Sequence, residues 1–209
     1  AEVDSAEKTG KLRVSARFYN PAGADSAMVL VKLIDPSGKL LAQEKKEISD
    51  LQGDVAIADF SVEAPQLWST EKPVLYTTEA TVTTKDGSFT QAAKVGFRRF
   101  EFVTRGPFLL NGKRLLIRGT QRHEDQAGVG AAMTEDMTRR EMIMIKEMGA
   151  NFIRLAHYQQ SQIVLNLCDS LGILVWEEIP WCRGGLGGAV YQQQARDMLT
   201  HMIRQHFSH

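Results

Sequence analysis

The hydrophobic period of this chain changes once along its length, and that change most constrains what it can fold into. From Lys11 to about Phe102 apolar residues recur at every second position. Leu12, Val14, Ala16 and Phe18 alternate with polar neighbours, as do Val29, Val31 and Leu33, then Val55 and Ile57, and later Tyr76, Ala80 and Val82. These are half-buried strands. Turn signals separate them at strand-length spacing: Asn20-Pro21-Ala22-Gly23, Asp35-Pro36-Ser37-Gly38, Gln52-Gly53-Asp54 and the hairpin pair Asp86-Gly87. About seven short strands in about 90 residues predict an antiparallel sandwich of the immunoglobulin type, without the paired cysteines of antibody domains.

From about Arg114 the pattern becomes helical with short apolar runs between. Leu115-Leu116-Ile117 reads as a buried strand. Thr134 followed by Glu135 and Asp136 reads as a helix start with acidic groups on the positive end of the dipole, with Met137, Met144, Ile145 and Met148 as the apolar face and Gly149 as the stop. Phe152-Ile153-Arg154-Leu155 is the next strand. Ser161 begins a second helix with Val164, Leu167, Cys168 and Leu171 as its stripe, closed by Gly172 and followed by the strand Ile173-Leu174-Val175-Trp176. A glycine-rich loop from Gly184 to Gly188 precedes a third helix with Ala195, Met198, Leu199, Met202 and Ile203 on one face. Successive βα units imply a parallel sheet, either doubly wound or a barrel. A (β/α)8 barrel takes ~250 residues, and only about 110 follow the sandwich, so a barrel here is truncated.

Composition removes several function classes. With 43% hydrophobic and 24% charged residues, the chain lies far from disordered sequences. Lys+Arg and Asp+Glu both number 25, so no net field draws it to nucleic acid or an anionic membrane. No apolar run reaches the roughly 20 residues of a membrane span, and AEVDSAEKTG lacks the apolar centre of a signal peptide. The expectation is a soluble segment of bacterial cytoplasm or periplasm, the compartment left open. Cys168 and Cys182, the chain's 2 cysteines, lie in no metal-type cluster and read as plain thiols.

Chemistry in a parallel α/β sheet collects at the carboxyl ends of its strands. Here those ends carry Gly119-Thr120-Gln121-Arg122-His123-Glu124-Asp125, Ala156-His157-Tyr158, and Glu177-Glu178-Ile179-Pro180-Trp181. Any one of them could be a solvated loop; all three being polar or aromatic points to a site. Arg154 interrupts an apolar strand, where an unpaired charge is costly, so it is expected to have a carboxylate partner unless it snorkels outward. His123, His157 and a carboxylate could be assembled into a zinc site, but no His-x-x-x-His spacing occurs. A Gly-x-Ser-x-Gly elbow, a phosphate loop and a Gly-x-Gly-x-x-Gly fingerprint are all absent. Polar and aromatic groups at a barrel mouth suit a sugar. Glycoside cleavage needs two carboxyls flanking the bond, yet Glu177 and Glu178 are successive strand residues and point to opposite faces. They cannot be that pair.

Several stretches resemble one family. Ala64-Pro65-Gln66-Leu67-Trp68-Ser69, Pro73-Val74-Leu75-Tyr76 and Val95-Gly96-Phe97-Arg98 are similar to the end of the immunoglobulin-like domain of glycoside hydrolase family 2, the β-galactosidases, β-glucuronidases and β-mannosidases. Phe108-Leu109-Leu110-Asn111-Gly112-Lys113 resembles the entry hairpin of that family's catalytic barrel. The most specific match is Asn151-Phe152-Ile153-Arg154-Leu155-Ala156-His157-Tyr158 with Cys168-Asp169 and Gly172-Ile173-Leu174-Val175-Trp176. The resemblance implies a retaining, exo-acting glycosidase. It implies pocket roles for His123 and His157, a likeness of Asp125 to the pocket aspartate of glucuronidase-like members, an arginine near the nucleophile at Arg154 and a site-lining acid at Glu178. With the aromatic Tyr158 and Trp181 on the same rim, the expected substrate-binding set is His123, Asp125, Arg154, His157, Tyr158, Glu178 and Trp181.

There are departures: Gln159 replaces the usual proline after His-Tyr, and Gln121 stands where an asparagine is usual, which leaves the subfamily open. Cys182 falls near a magnesium-binding carboxylate of some β-galactosidases, so no metal and no cofactor are expected. The expectation is thus an immunoglobulin-like sandwich over residues 1–102 and the first three or so βα units of a truncated TIM barrel over 103–209. The catalytic acid/base and nucleophile glutamates are expected beyond His209, leaving this piece inactive alone. Expected partners are a β-linked oligosaccharide or glycoside, galactose being the favoured sugar, with no nucleic acid and no membrane, and with self-association through the open barrel edge. The competing expectation is a carbohydrate-binding or docking module without hydrolytic role; a complete small open-sheet enzyme is a third.

Overall fold

The structure, a computed structural model, describes residues 1–20, 23, 26–181, 184–185 and 187–209. The chain forms two compact units: Ala1–Trp68 with Val74–Glu101 and Leu109–Lys113, and Ser69–Pro73 with Phe102–Phe108 and Arg114–His209. The first is the expected immunoglobulin-like sandwich. One sheet has the order β1-β2-β5, from β1 (Glu2–Val3), β2 (Thr9–Phe18) and β5 (Gly53–Glu63). The other has the order β4-β3-β6-β7, from β3 (Ala27–Ile34), β4 (Leu40–Ile48), β6 (Tyr76–Thr84) and β7 (Gly87–Val95). Every pairing is antiparallel. The period-two residues do what the pattern requires: Leu12, Ile57 and Phe60 from one sheet and Val29, Val31, Leu33 and Tyr76 from the other share one buried core with Phe97.

Turn chemistry fixes the strand registers. Asp35 Oδ1 accepts hydrogen bonds from the backbone N–H of Ser37 and Lys39 and from the Ser37 hydroxyl, and Gly38 follows with φ +89°, which a side chain would resist. In the expected turn at Asn20–Gly23, Pro21 and Ala22 lie outside the described residues. Short strands β8 (Phe100–Phe102), β9 (Phe108–Leu110) and β10 (Lys113–Arg114) form a small sheet of order β10-β9-β8.

The second unit is the opening of a (β/α)8 barrel. Its elements alternate as β11 (Gly119–Arg122), α1 (Glu135–Glu147), β12 (Phe152–Leu155), α2 (Gln162–Leu171), β13 (Leu174–Glu177) and α3 (Ala189–His206). The strands are parallel, in the order β11-β12-β13, and the sheet is not closed. Ile153 and Leu155 of β12 face a buried cluster with Met142 of α1 and Val164, Leu165, Leu167 and Cys168 of α2. Arg154 therefore lies on the other, open face.

Thr134 caps α1, its hydroxyl accepting from Met137 N–H. Gly172 closes α2 at φ +71°, where an added Cβ would lie 2.5 Å from the Thr70 carbonyl oxygen. Lys146 Nζ donates to that carbonyl at 2.7 Å and to the Gly172 carbonyl at 3.1 Å. Its burial lowers the ammonium pKa, opposed by the charge of Glu71.

Three expectations need correction. Leu115-Leu116-Ile117 is not a strand, and the first parallel strand starts at Gly119. Asn151 explains the shift: its side chain accepts from Arg118 N–H and donates to the Leu116 carbonyl, occupying the backbone groups a ladder would need. The buried face of α1 is Thr138 and Met142 with Ile145 beside them, while Met144 and Met148 are exposed. On α3 only Met202 is buried, and Leu199 and Ile203 stay exposed. Those side chains have nothing to pack on in a three-stranded open sheet.

Candidate functional site

The parallel register builds the site. It sets Gln121 of β11 opposite Arg154 of β12, and Arg154 opposite Trp176 of β13. All three are on the face away from the helices. Arg154 has the carboxylate partner its position demanded: Nε donates to Glu178 Oε1 at 2.6 Å and Nη2 to Oε2 at 3.0 Å, while Nη1 donates to Gln121 Oε1 at 3.0 Å. Trp176 Nε1 donates to Glu178 Oε1 at 3.0 Å, and His157 Nδ1 stands 3.2 Å from Oε2 and 3.0 Å from Arg154 Nη2.

Burial of the Glu178 carboxyl works against ionisation. The hydrogen bonds from Arg154, His157 and Trp176 and the charge of Arg154 outweigh it and hold its pKa below the ordinary carboxylate value. Glu178 is a fixed anion. Glu177 points the other way, as alternation requires, and its Oε2 lies 2.7 Å from His206 Nδ1 of α3.

The first loop joins the cluster through aromatic rings. His123 packs edge-on to His157 with ring centroids 5.3 Å apart and lies 6.3 Å from the ring of Tyr158. The Tyr158 hydroxyl accepts from Glu124 N–H at 3.0 Å, and Glu124 Oε1 accepts from Ser161 N–H at 3.1 Å. These bonds tie the loop after β11 to the loop after β12. Beneath them Arg122, 4% exposed, donates to Glu141 at 2.8 Å and to the Gln160 side-chain oxygen, and Gln160 Nε2 returns a bond to the Arg122 carbonyl at 3.2 Å.

His123, Arg154, His157, Tyr158 and Glu178 are thus brought together. Among the described residues no hydrogen bond or ion pair joins Asp125 or Trp181 to them: Asp125 is exposed, and Trp181 Nε1 donates to the Gly185 carbonyl at 2.8 Å. Gln121 and Trp176 belong to the cluster although they were not expected in it. Strand register is the signal that would have found them, since each is level with Arg154.

Among the described residues no group of three or more His, Cys, Asp or Glu could hold a metal ion. Cys182 lies outside the described residues. Cys168 is buried on the helix side, where burial first and Asp169 next push its thiol pKa up and keep it protonated.

Known proteins resemble the chain over both of its halves. Residues 1–98 match the model of glycosyl hydrolases family 2, and residues 102–200 match that of the glycosyl hydrolases family 2 TIM barrel domain. The crystal structure of Parabacteroides merdae β-glucuronidase superposes with a TM-score of 0.95 at 56% identity, over 100% of this chain and 26% of that one. A β-glucuronidase of Bacteroides fragilis is 32% identical over 89% of this chain and 28% of its own length. A β-galactosidase of Thermoanaerobacter pseudethanolicus is 29% identical over 87% of this chain and 24% of its own. The chain spans about a quarter of the length of these relatives. Both of its halves carry the signature of one family, and the chain belongs to glycosyl hydrolases family 2.

Proposed function

We propose that this chain is part of a retaining, exo-acting glycosidase that hydrolyses terminal β-linked sugars, with β-glucuronides as its first substrate class. The observation that carries this reading is the cluster of His123, Arg154, His157, Tyr158 and Glu178 on the open face at the carboxyl ends of β11, β12 and β13. Around the fixed Glu178 carboxylate, the other four offer hydrogen-bonding groups and ring surfaces suited to sugar hydroxyls. Asp125 and Trp181, both exposed, are proposed to extend it from the loops after β11 and β13.

The retaining reaction needs an acid/base and a nucleophilic carboxyl about 5 Å apart. Glu177 and Glu178 face opposite sides and cannot serve as that pair, so the proposal assigns both catalytic carboxyls to the parent protein outside these residues and no turnover to this chain alone. Glucuronide is preferred over galactose, the sugar the sequence favoured, because the likeness to proteins named β-glucuronidase is higher. The relative named β-galactosidase keeps galactosides as the second reading.

The test is turnover of 4-nitrophenyl β-glucuronide, β-galactoside and β-mannoside by the full-length protein. Release of nitrophenol from the glucuronide first is expected. Inactivity on all three, with calorimetric binding of the same sugars retained, favours a carbohydrate-binding role instead.

A further inference from the structure

We propose that Glu178 and Trp176 are positioning residues for His157 and not sugar ligands, an inference that rests on the glycosidase reading above. A carboxylate has two oxygens and about four lone-pair sites. On Glu178 three donors of the protein are bound and the remaining approach to Oε2 is occupied by the His157 ring. Oε1 accepts from Arg154 Nε and Trp176 Nε1, and Oε2 accepts from Arg154 Nη2 and faces His157 Nδ1. A ligand hydroxyl reaches Glu178 only by displacing one of these partners. Trp176 is 57% exposed, yet its single polar atom is committed to Glu178, two residues along the same face.

The consequence falls on the imidazole. A guanidinium only donates and an ionised carboxylate only accepts. His157 Nδ1 stands between one of each, 3.0 Å from Arg154 Nη2 and 3.2 Å from Glu178 Oε2. A neutral ring accepts from Arg154 at Nδ1 and carries its proton on Nε2. A protonated ring donates to Glu178 at Nδ1 and again carries a proton on Nε2. A neutral ring with its proton on Nδ1 donates to Glu178 Oε2 and leaves Nε2 as an acceptor. In each state the Arg154–Glu178 pair engages Nδ1 and leaves Nε2 for the ligand, and Glu178, itself held by Trp176, keeps the ring in that orientation.

Two measurements test this. In the full-length protein, Glu178→Gln is expected to lower kcat about tenfold or more and Trp176→Phe about threefold, with KM within about twofold of the parent value. Thermal midpoints confirm that each variant is folded. Unchanged kcat in both folded variants, or a raised KM at unchanged kcat in Glu178→Gln, overturns the proposal, the second because it marks a direct ground-state contact with sugar.

The other measurement is the 15N spectrum of the His157 ring in the 209-residue chain. It is expected to show one dominant tautomer in the native chain and a mixed-tautomer average in Glu178→Gln. An unchanged ring pattern also overturns the proposal. A wild-type protein inactive on every glycoside sinks the glycosidase reading, while the ring nitrogens still decide the positioning.

Discussion

Arg154 and Glu178 are locked in a two-pronged pair, 2.6 Å from Nε to Oε1 and 3.0 Å from Nη2 to Oε2, that ties the end of β12 to the end of β13. The Arg154 side chain is 36% exposed, so water screens part of the attraction. Arg154→Met is expected to cost about 1–2 kcal/mol, the scale of hydrogen bonds to a charged group. A shift in the urea midpoint at unchanged slope measures it; no shift would mean the pair contributes nothing to the fold.

The same pair sets an acid dependence. The Glu178 carboxyl pKa is lowered in the folded chain, so its contribution is fully present above the unfolded value, about 4.3, and is lost as pH falls through the lower folded value. Stability measured from pH 6 down to pH 3 should fall less steeply in Glu178→Gln than in the parent chain. Parallel curves would remove Glu178 from the acid sensitivity.

Arg122 makes a sharper case because it is buried. Arg122→Met strips a charge partner from Glu141 and leaves Gln160 without its acceptor role, and the expected loss is roughly 3 kcal/mol. The control is Arg139→Met on the exposed face of α1, whose bond to Glu135 is 3.1 Å long with both side chains more than half exposed. There the loss is expected below about 0.5 kcal/mol. Equal losses would mean that burial does not govern these pairs.

These contrasts mark what could be read from the residues. The sandwich strands were legible because one face of each is buried, which writes a period of two directly into Leu12–Phe18 and Val29–Leu33. The opposed directions of Glu177 and Glu178 followed from the same alternation, and the need of Arg154 for a carboxylate followed from its apolar strand. The identity of that partner did not, because it depends on the parallel register of β12 with β13. Register hid Gln121 and Trp176 for the same reason. The displaced first strand was hidden differently: Asn151 takes the backbone groups of Leu116 and Arg118 with a side chain from a distant position, and no local pattern records that. On α1, Met144 and Thr138 both lie at helical spacing, and only the position of the sheet decides which is covered.

Gly172 supplies a prediction about backbone space. Its φ of +71° and the 2.5 Å approach of a built Cβ to the Thr70 carbonyl oxygen act together. Gly172→Ala is expected to lower stability by about 2–4 kcal/mol, from the left-handed backbone and the overpacked contact combined. Gly128, also at positive φ but with open space around it, isolates the backbone cost, so Gly128→Ala is expected to lose about 1 kcal/mol. Thermal midpoints of the two variants separate the contributions; a Gly172→Ala loss no larger than that of Gly128→Ala would mean Thr70 yields freely.

The edge of the barrel sheet yields the last expectation. Among the described residues β13 pairs only with β12, so one side of Leu174–Glu177 presents unbonded backbone groups, and the apolar Leu116, Ile117 and Trp176 are exposed as well. Edge strands of this kind are templates for another chain. The 209-residue chain is therefore expected to self-associate, with a weight-average sedimentation coefficient that rises over the micromolar range. Placing a lysine at Val175 would not test this edge, because Val175 packs toward the helix-side cluster. Trp176→Lys does test it: a charge on the open face repels a second copy while leaving that cluster intact, and the concentration dependence should flatten. A parent chain that sediments as a monomer at every concentration would sink the expectation.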